Sequence, residues 1–171
     1  VAILTDTGGF RFANTGPRVL RVAASLLEHG VRPERVYEQV YATTPAGRLR
    51  LAAEVLETLV VEPDLGLAWL TVPAGAVERH GTTPDDLDGL VEMARSVRGT
   101  RLALLFRSLA SGSIKVSFRS VGDVDVAALA RGFGGGGHTK AAGASLAGTL
   151  DEVQRTVLGA ARGLLGDGAT S

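Results

Sequence analysis

The chain has 171 residues, 45% apolar and 21% charged, a composition of folded globular proteins and not of disordered ones. Its 18 basic and 18 acidic residues balance to a formal net charge of zero, which excludes coating long nucleic acid by bulk charge but leaves room for a local anion pocket. It has no Cys, hence no disulfide framework, thiolate zinc site or Cys nucleophile, and its three histidines (His29, His80, His138) show no metal-ligand spacing.

Residues 1–5 ("VAILT") are a short apolar run that predicts a buried strand. A strand with no earlier strand to pair with is an odd start for a domain, so this reading also predicts residues upstream of Val1. A loop, "DTGGFRFANTG" (6–16), follows. Pro17 suits a first helical position, and Val19, Leu20, Ala23, Leu26 and Leu27 form one stripe of a helix that Gly30 stops. A second helix is expected from Pro33 to Tyr41. A third starts at Thr44-Pro45, with Leu51, Ala52, Val55, Leu56 and Leu59 inside.

The pattern then changes. "LGLAWLTV" (65–72) reads as a strand, with Trp69 as a core residue or a base-stacking platform. Thr83-Pro84 followed by Asp85 and Asp86 combines a cap, a proline and negative charge at the positive end of a helix dipole. The helix it starts would bury Leu87, Leu90, Val91 and Ala94. "RLALLFR" (101–107) and "IKVSFRS" (114–120) read as a hairpin. Asp125 caps a short helix. A glycine run, a short helical turn and a strand "GASLAG" come next. A last helix covers about 150–165, and the final residues are expected to fray. The fold class is therefore α/β. A boundary near residue 60 separates a mainly helical part (1–60), the remnant of a domain whose sheet lies upstream, from a mixed-sheet α/β domain (61–171) with its own core.

Three segments could carry chemistry. "RGFGGGGHTKAAG" (131–143) is either a flexible linker or a bed for an anion, because amides without neighbouring Cβ atoms can turn toward one oxyanion. A helix beginning near His138 would add its free N–H groups, and the imidazole one more donor. The segment matches G-x-G-x-x-G literally, but a helix and not a strand is expected before it, and the P-loop Lys-Ser/Thr is absent. In "KVSFRS", Lys115, Ser117 and Arg119 share one strand face, either a phosphate-facing surface or a solvated one. Asp6, opening the first loop, either coordinates a metal or closes a turn over Gly8-Gly9.

Together and in this order, these segments resemble the DHH phosphoesterase superfamily, and within it the bifunctional oligoribonuclease and 3′-phosphoadenosine 5′-phosphate phosphatase group, the nanoRNases. "DTGGFRFANT" is similar to the last metal motif of the catalytic domain. "KVSFRS" and "GGGGHTKAAG" are similar to the motifs of the associated C-terminal domain. The resemblance implies two divalent ions, usually manganese, that activate water for in-line displacement at phosphorus. It implies Asp6 as a metal ligand and Arg119, flanked by Ser117 and Ser120, as a substrate-phosphate contact. Gly136, Gly137 and His138 match the binding loop. The Asp-His-His triplet and the first Asp-rich motif are absent, and on this resemblance belong upstream of Val1. The chain is thus expected to hold short RNA, a dinucleotide or a mononucleotide, and to be inactive alone. A cytoplasmic location is expected, with homodimerisation left open and no membrane association. The alternatives are a non-catalytic nucleic-acid-binding module, similar to the C-terminal domain of alanyl-tRNA synthetase, and a dinucleotide-binding oxidoreductase.

Overall fold

The computed structural model describes residues 1–10, 12 and 14–167. The chain divides into two compact units, Val1–Pro45 and Ala46–Ser171. The expected fraying of the final residues lies outside the described ones.

The first unit holds three helices, Ala2–Asp6 (α1), Pro17–Glu28 (α2) and Pro33–Val40 (α3). The strand expected over residues 1–5 is a helix instead. Leu4 and Thr5 donate their amides to Val1 O, and the Thr7 hydroxyl donates to Ile3 O at 2.6 Å. A five-residue apolar run has no period of its own, and here local hydrogen bonds close it into a helical turn. Pro17 and Pro33 start their helices as expected. None of the three helices buries a residue fully, and Leu4, Leu26, Leu27, Val36, Tyr37 and Tyr41 line an apolar groove of about 670 Å³.

The second unit is built on one mixed sheet. Its strands are Val60–Glu62 (β1), Leu67–Thr71 (β2), Leu102–Ser108 (β3), Ser113–Ser120 (β4), Gly136–His138 (β5) and Ala141–Ala147 (β6). They lie in the order β1-β2-β3-β4-β6-β5, and only β2 and β3 pair in parallel. Alternation along the strands sorts side chains onto two faces. Leu104, Phe106, Val116, Phe118 and Ala144 meet Val126–Arg131 (α7) and Leu150–Asp167 (α8), through Val126, Ala130, Val157 and Ala161. Phe106 and Phe118 are fully buried there, worth roughly 1.5–3 kcal/mol each.

On the opposite face, Ala68, Leu70, Ala103 and Leu105 are covered by Ala46–Leu56 (α4), Ala76–Arg79 (α5) and Leu90–Arg95 (α6). Helix α4 falls before residue 60, yet it packs in the second unit, with Leu51 and Val55 fully buried against β2, β3 and α6. The single helix expected after Thr83 is broken. Where a cap and negative charge were anticipated, Thr83 and Asp86 form a capping box on a 3-10 turn, Pro84–Leu87. Gly89, at φ +92, then re-aims the chain into α6.

Candidate functional site

The small helices cover β2 and β3 but leave the same face of β4, β6 and β5 open. Register decides what that open face carries. Arg119 pairs with Ala103 on one side and Ala141 on the other, and Ala141 pairs with His138. Arg119, Ala141 and His138 therefore form one cross-strand row, with the Arg119 and His138 backbones two strands, about 10 Å, apart. The next row is Leu105, Ser117, Gly143 and Gly136. The third is Arg107, Lys115 and Ser145. Cationic side chains thus stand around a floor of Ala141, Gly143 and Gly136. Residues 19 apart in sequence, Arg119 and His138, meet through a register that no local pattern encodes.

Arg119 is half-buried and held at two points. Its Nε donates to Glu92 Oε1 at 2.7 Å, and one terminal nitrogen donates to Phe118 O at 2.9 Å. The other Glu92 oxygen pairs with Arg95 Nε at 2.6 Å. Ser117 and His138 keep their polar side-chain atoms unbonded within the described residues. A cleft of about 110 Å³ lies against this face, lined by Arg107, Lys115, Ser117 and Arg119 from the sheet and by Asp85 and Asp88 from the wall. Arg107, Glu92 and Asp88 had no functional place in the sequence reading, and Asp85 entered it only as charge at a helix start. The one available signal was the strand alternation that puts Arg107 in phase with Leu105.

Ser120 does not share the open face. It is 1% exposed, and its hydroxyl donates to Val124 O at 2.7 Å and to Thr139 O at 3.3 Å. Its amide donates to Lys140 O, and Val126 N donates to Thr139 O. Lys140 Nζ donates to Gly122 O and Val124 O. These bonds clamp the two-residue turn between β5 and β6, and so position the neighbouring His138. The Ser120 hydroxyl, expected beside a substrate, is buried against the chain on either side of that turn.

The glycine run does three different things. Gly134 (φ +73) ends α7: its amide donates to Arg131 O and that of Gly135 to Ala130 O, a Schellman closure. Those two amides are consumed, so the amide bed anticipated around residue 134 does not form. Gly135 and Gly137 let β5 lie against β6. A Cβ on Gly135 would stand 2.2 Å from Gly143 O, and one on Gly137 2.5 Å from Ala141 O. Gly136, with open space around it, sits on the open face, in the row of Ser117 and Gly143. His138 ends a strand and does not open a helix. Helix α7, not a strand, precedes the run, so the oxidoreductase alternative lacks its required geometry.

Asp6 lies in the other unit, exposed at the end of α1. Its carboxylate accepts from the Thr5 hydroxyl at 3.2 Å, and its carbonyl accepts from Asn14 Nδ2 at 3.0 Å. Among the described residues no group of three His, Asp or Glu could hold a metal ion. A lone carboxylate does not fit an oxygen-rich two-ion centre. His29 and His80 do structural work: His29 Nδ1 lies 2.7 Å from Ser25 O, and His80 Nε2 lies 2.6 Å from Glu54 Oε2. No helix among the described residues is long and apolar enough to cross a membrane.

A family model for the DHHA1 domain matches residues 68–163. The chain is 42% identical over 161 residues to the bifunctional oligoribonuclease and PAP phosphatase NrnA of Thermus thermophilus, covering 94% of this chain and 48% of that protein. It is 31% identical over 153 residues to the protein of that name from Bacillus subtilis, covering 90% and 47%. A crystal structure of an exopolyphosphatase-related protein from Bacteroides fragilis aligns at a TM-score of 0.81 and 29% identity, covering 95% of this chain and 49% of that one. The chain spans about half the length of the curated relatives it matches. The matched region runs from β2 through the open floor into α8, and the chain belongs to the DHHA1 domain family, within the DHH superfamily.

Proposed function

We propose that this chain is the substrate-holding part of a phosphoesterase that hydrolyses short oligoribonucleotides or linear dinucleotides to mononucleotides, with 3′-phosphoadenosine 5′-phosphate as a further substrate. The observation that carries this reading is the row Arg119–Ala141–His138, two donor side chains on one open sheet face with only a methyl group between them. Arg119 offers its remaining guanidinium hydrogens to a phosphate, His138 offers a ring nitrogen, and Ser117 offers a hydroxyl. Gly136, with nothing within 4 Å of where a Cβ would stand, lets a ligand approach the β5 backbone closely, while Gly137 of the same loop packs β5 against β6. A local pocket on a neutral chain suits a short ligand, because a long strand calls for an extended basic groove. The names of the relatives support the same substrate class.

The first unit, on this reading, is part of the catalytic domain, and Asp6 contributes one ligand to a pair of divalent ions, manganese first among them. The other ligands come from outside the 171 residues, and no chemical step is assigned to the described residues. The chain is expected to bind AMP and to release no mononucleotide from a dinucleotide with manganese present. Manganese-dependent turnover by the purified chain would overturn the assignment of a holding role alone. Absence of AMP binding would overturn the holding role itself. In the intact protein, Asp6→Asn is expected to abolish turnover while sparing AMP binding. Unchanged turnover would remove Asp6 from the metal site and favour the pure binding module.

A further inference from the structure

Two cations at the far end of the open face are left unpaired by the arrangement described above. Arg107 and Lys115 stand directly opposite each other on β3 and β4. Like charges in that relation destabilise a sheet. Five cations of the second unit have a carboxylate among the described residues: Arg48 has Asp86, Arg79 has Glu54, Arg95 and Arg119 share Glu92, and Arg162 has Glu62. Arg107 donates only to Pro84 O at 3.4 Å, which neutralises nothing, and Lys115 has no partner among the described residues. Both line the cleft that contains Ser117 and Arg119. A pair of cations facing a cleft, neither of them bonded to a carboxylate, is a site for an anion.

We propose that Arg107 and Lys115 form a second phosphate subsite, which takes another phosphoryl group of the same nucleotide ligand whose first phosphate Arg119 holds. The proposal rests on the reading of Arg119 given above and adds what the ligand must carry. Lys115 lies four residues from Arg119 along β4, about 13 Å between backbones. Both side chains are long enough to close much of that distance, so the subsites fit phosphates one or two nucleotide steps apart. The cleft, at about 110 Å³, holds a phosphate and part of a sugar and not a whole nucleotide, so it is a subsite of a larger site. Its two sides differ. The floor is cationic, while Asp85 and Asp88 stand on the wall. A phosphate is drawn to the floor and repelled by the wall, whereas sugar hydroxyls donate well to carboxylates. That polarity matches a 5′-phosphorylated ribose.

The test compares two ligands that differ only in the second phosphate, pApA and ApA, titrated into the 171-residue chain and followed by backbone amide shifts. Binding of pApA is expected to be about tenfold tighter than that of ApA, for one charge-assisted contact set. In Lys115→Gln and Arg107→Gln that advantage is expected to shrink to within about twofold, with ApA binding unchanged. Arg98→Gln, an exposed cation away from the cleft, is expected to keep it. An undiminished advantage in both cleft variants, or equal losses for both ligands, or the same shrinkage in Arg98→Gln, overturns the subsite and leaves the Arg119 reading standing. If Arg119→Ala binds both ligands as well as the wild type, or if the wild type binds neither, the Arg119 reading falls and the subsite with it.

Discussion

Glu92 accepts from Arg119 Nε at 2.7 Å and Phe118 O from one terminal nitrogen at 2.9 Å, which leaves the other terminal nitrogen without a partner among the described residues. The carboxylate orients the arginine and also offsets part of its charge. For an anion arriving at the terminal nitrogens, the second effect is the larger, because Phe118 O already fixes the group at another point. Glu92→Gln keeps the acceptor and removes the charge. It is expected to tighten AMP binding by about 0.5 kcal/mol, within the range of partly exposed ion pairs, as read by calorimetric titration. Weaker binding would mean that Glu92 serves Arg119 mainly by positioning it.

Arg119→Ala is expected to weaken AMP binding by about 1–3 kcal/mol without lowering the thermal midpoint. Arg119→Lys should recover little of it, because a point charge cannot reproduce a guanidinium held at Nε and at one terminal nitrogen and still offering the other. Full recovery by lysine would show that charge alone is recognised.

The two serines flanking Arg119 should separate cleanly. Ser120→Ala removes a buried donor to Val124 O and loosens the turn beside His138, and is expected to cost about 1–3 kcal/mol in urea unfolding. Ser117→Ala is expected to leave stability within about 0.5 kcal/mol and to weaken AMP binding. The reverse pattern would exchange their roles.

The glycines make a similar pair of tests. Gly135→Ala drives a methyl group into Gly143 O and is expected to destabilise the β5–β6 edge by about 1–3 kcal/mol, read as faster amide exchange in β5. Gly136→Ala meets nothing within 4 Å and is expected to fold normally while hindering ligand approach. Equal effects of the two would remove the distinction between packing and ligand-facing glycines.

Glu62 on β1 pairs with Arg162 on α8 through two hydrogen bonds, at 2.7 and 3.0 Å, and these hold its carboxyl below the usual carboxylate range. A lowered carboxylate pKa gives stability that is present above the ordinary carboxylate value and is lost as pH falls through the folded one. Glu62→Gln is therefore expected to cost about 0.2–1 kcal/mol at pH 7. That difference should fade on acidification below the ordinary carboxylate range, measured as thermal midpoints across pH. A difference that persists in acid would be packing, not charge.

Local chemistry in this chain was legible wherever neighbours in sequence supply it. Thr83 and Asp86 make their capping box, and Asp125 Oδ1 accepts from the amides of Ala127 and Ala128 at 2.8 and 3.1 Å, as their positions indicate. The alternation in "KVSFRS" placed Lys115, Ser117 and Arg119 on one face correctly. What failed was decided at a distance or by a single residue. Gly89 split one helix in two, and residues 1–5 were too few to declare a period. The glycine run looked like an anion bed because the constraint on Gly135 and Gly137 comes from β6, and the backbone of β6 has no signature near residue 135. The row joining Arg119 to His138 depends on two pairings at once, so it became visible only with the sheet assembled.

The floor between Arg119 and His138 consists of Ala141, Gly143 and Gly136, which present one methyl group and bare peptide. A nucleobase laid over such a shelf finds no side chain long enough to interrogate its edge. Purines and pyrimidines should rest there equally well, and preference for one letter over another would have to be written by some other part of the molecule.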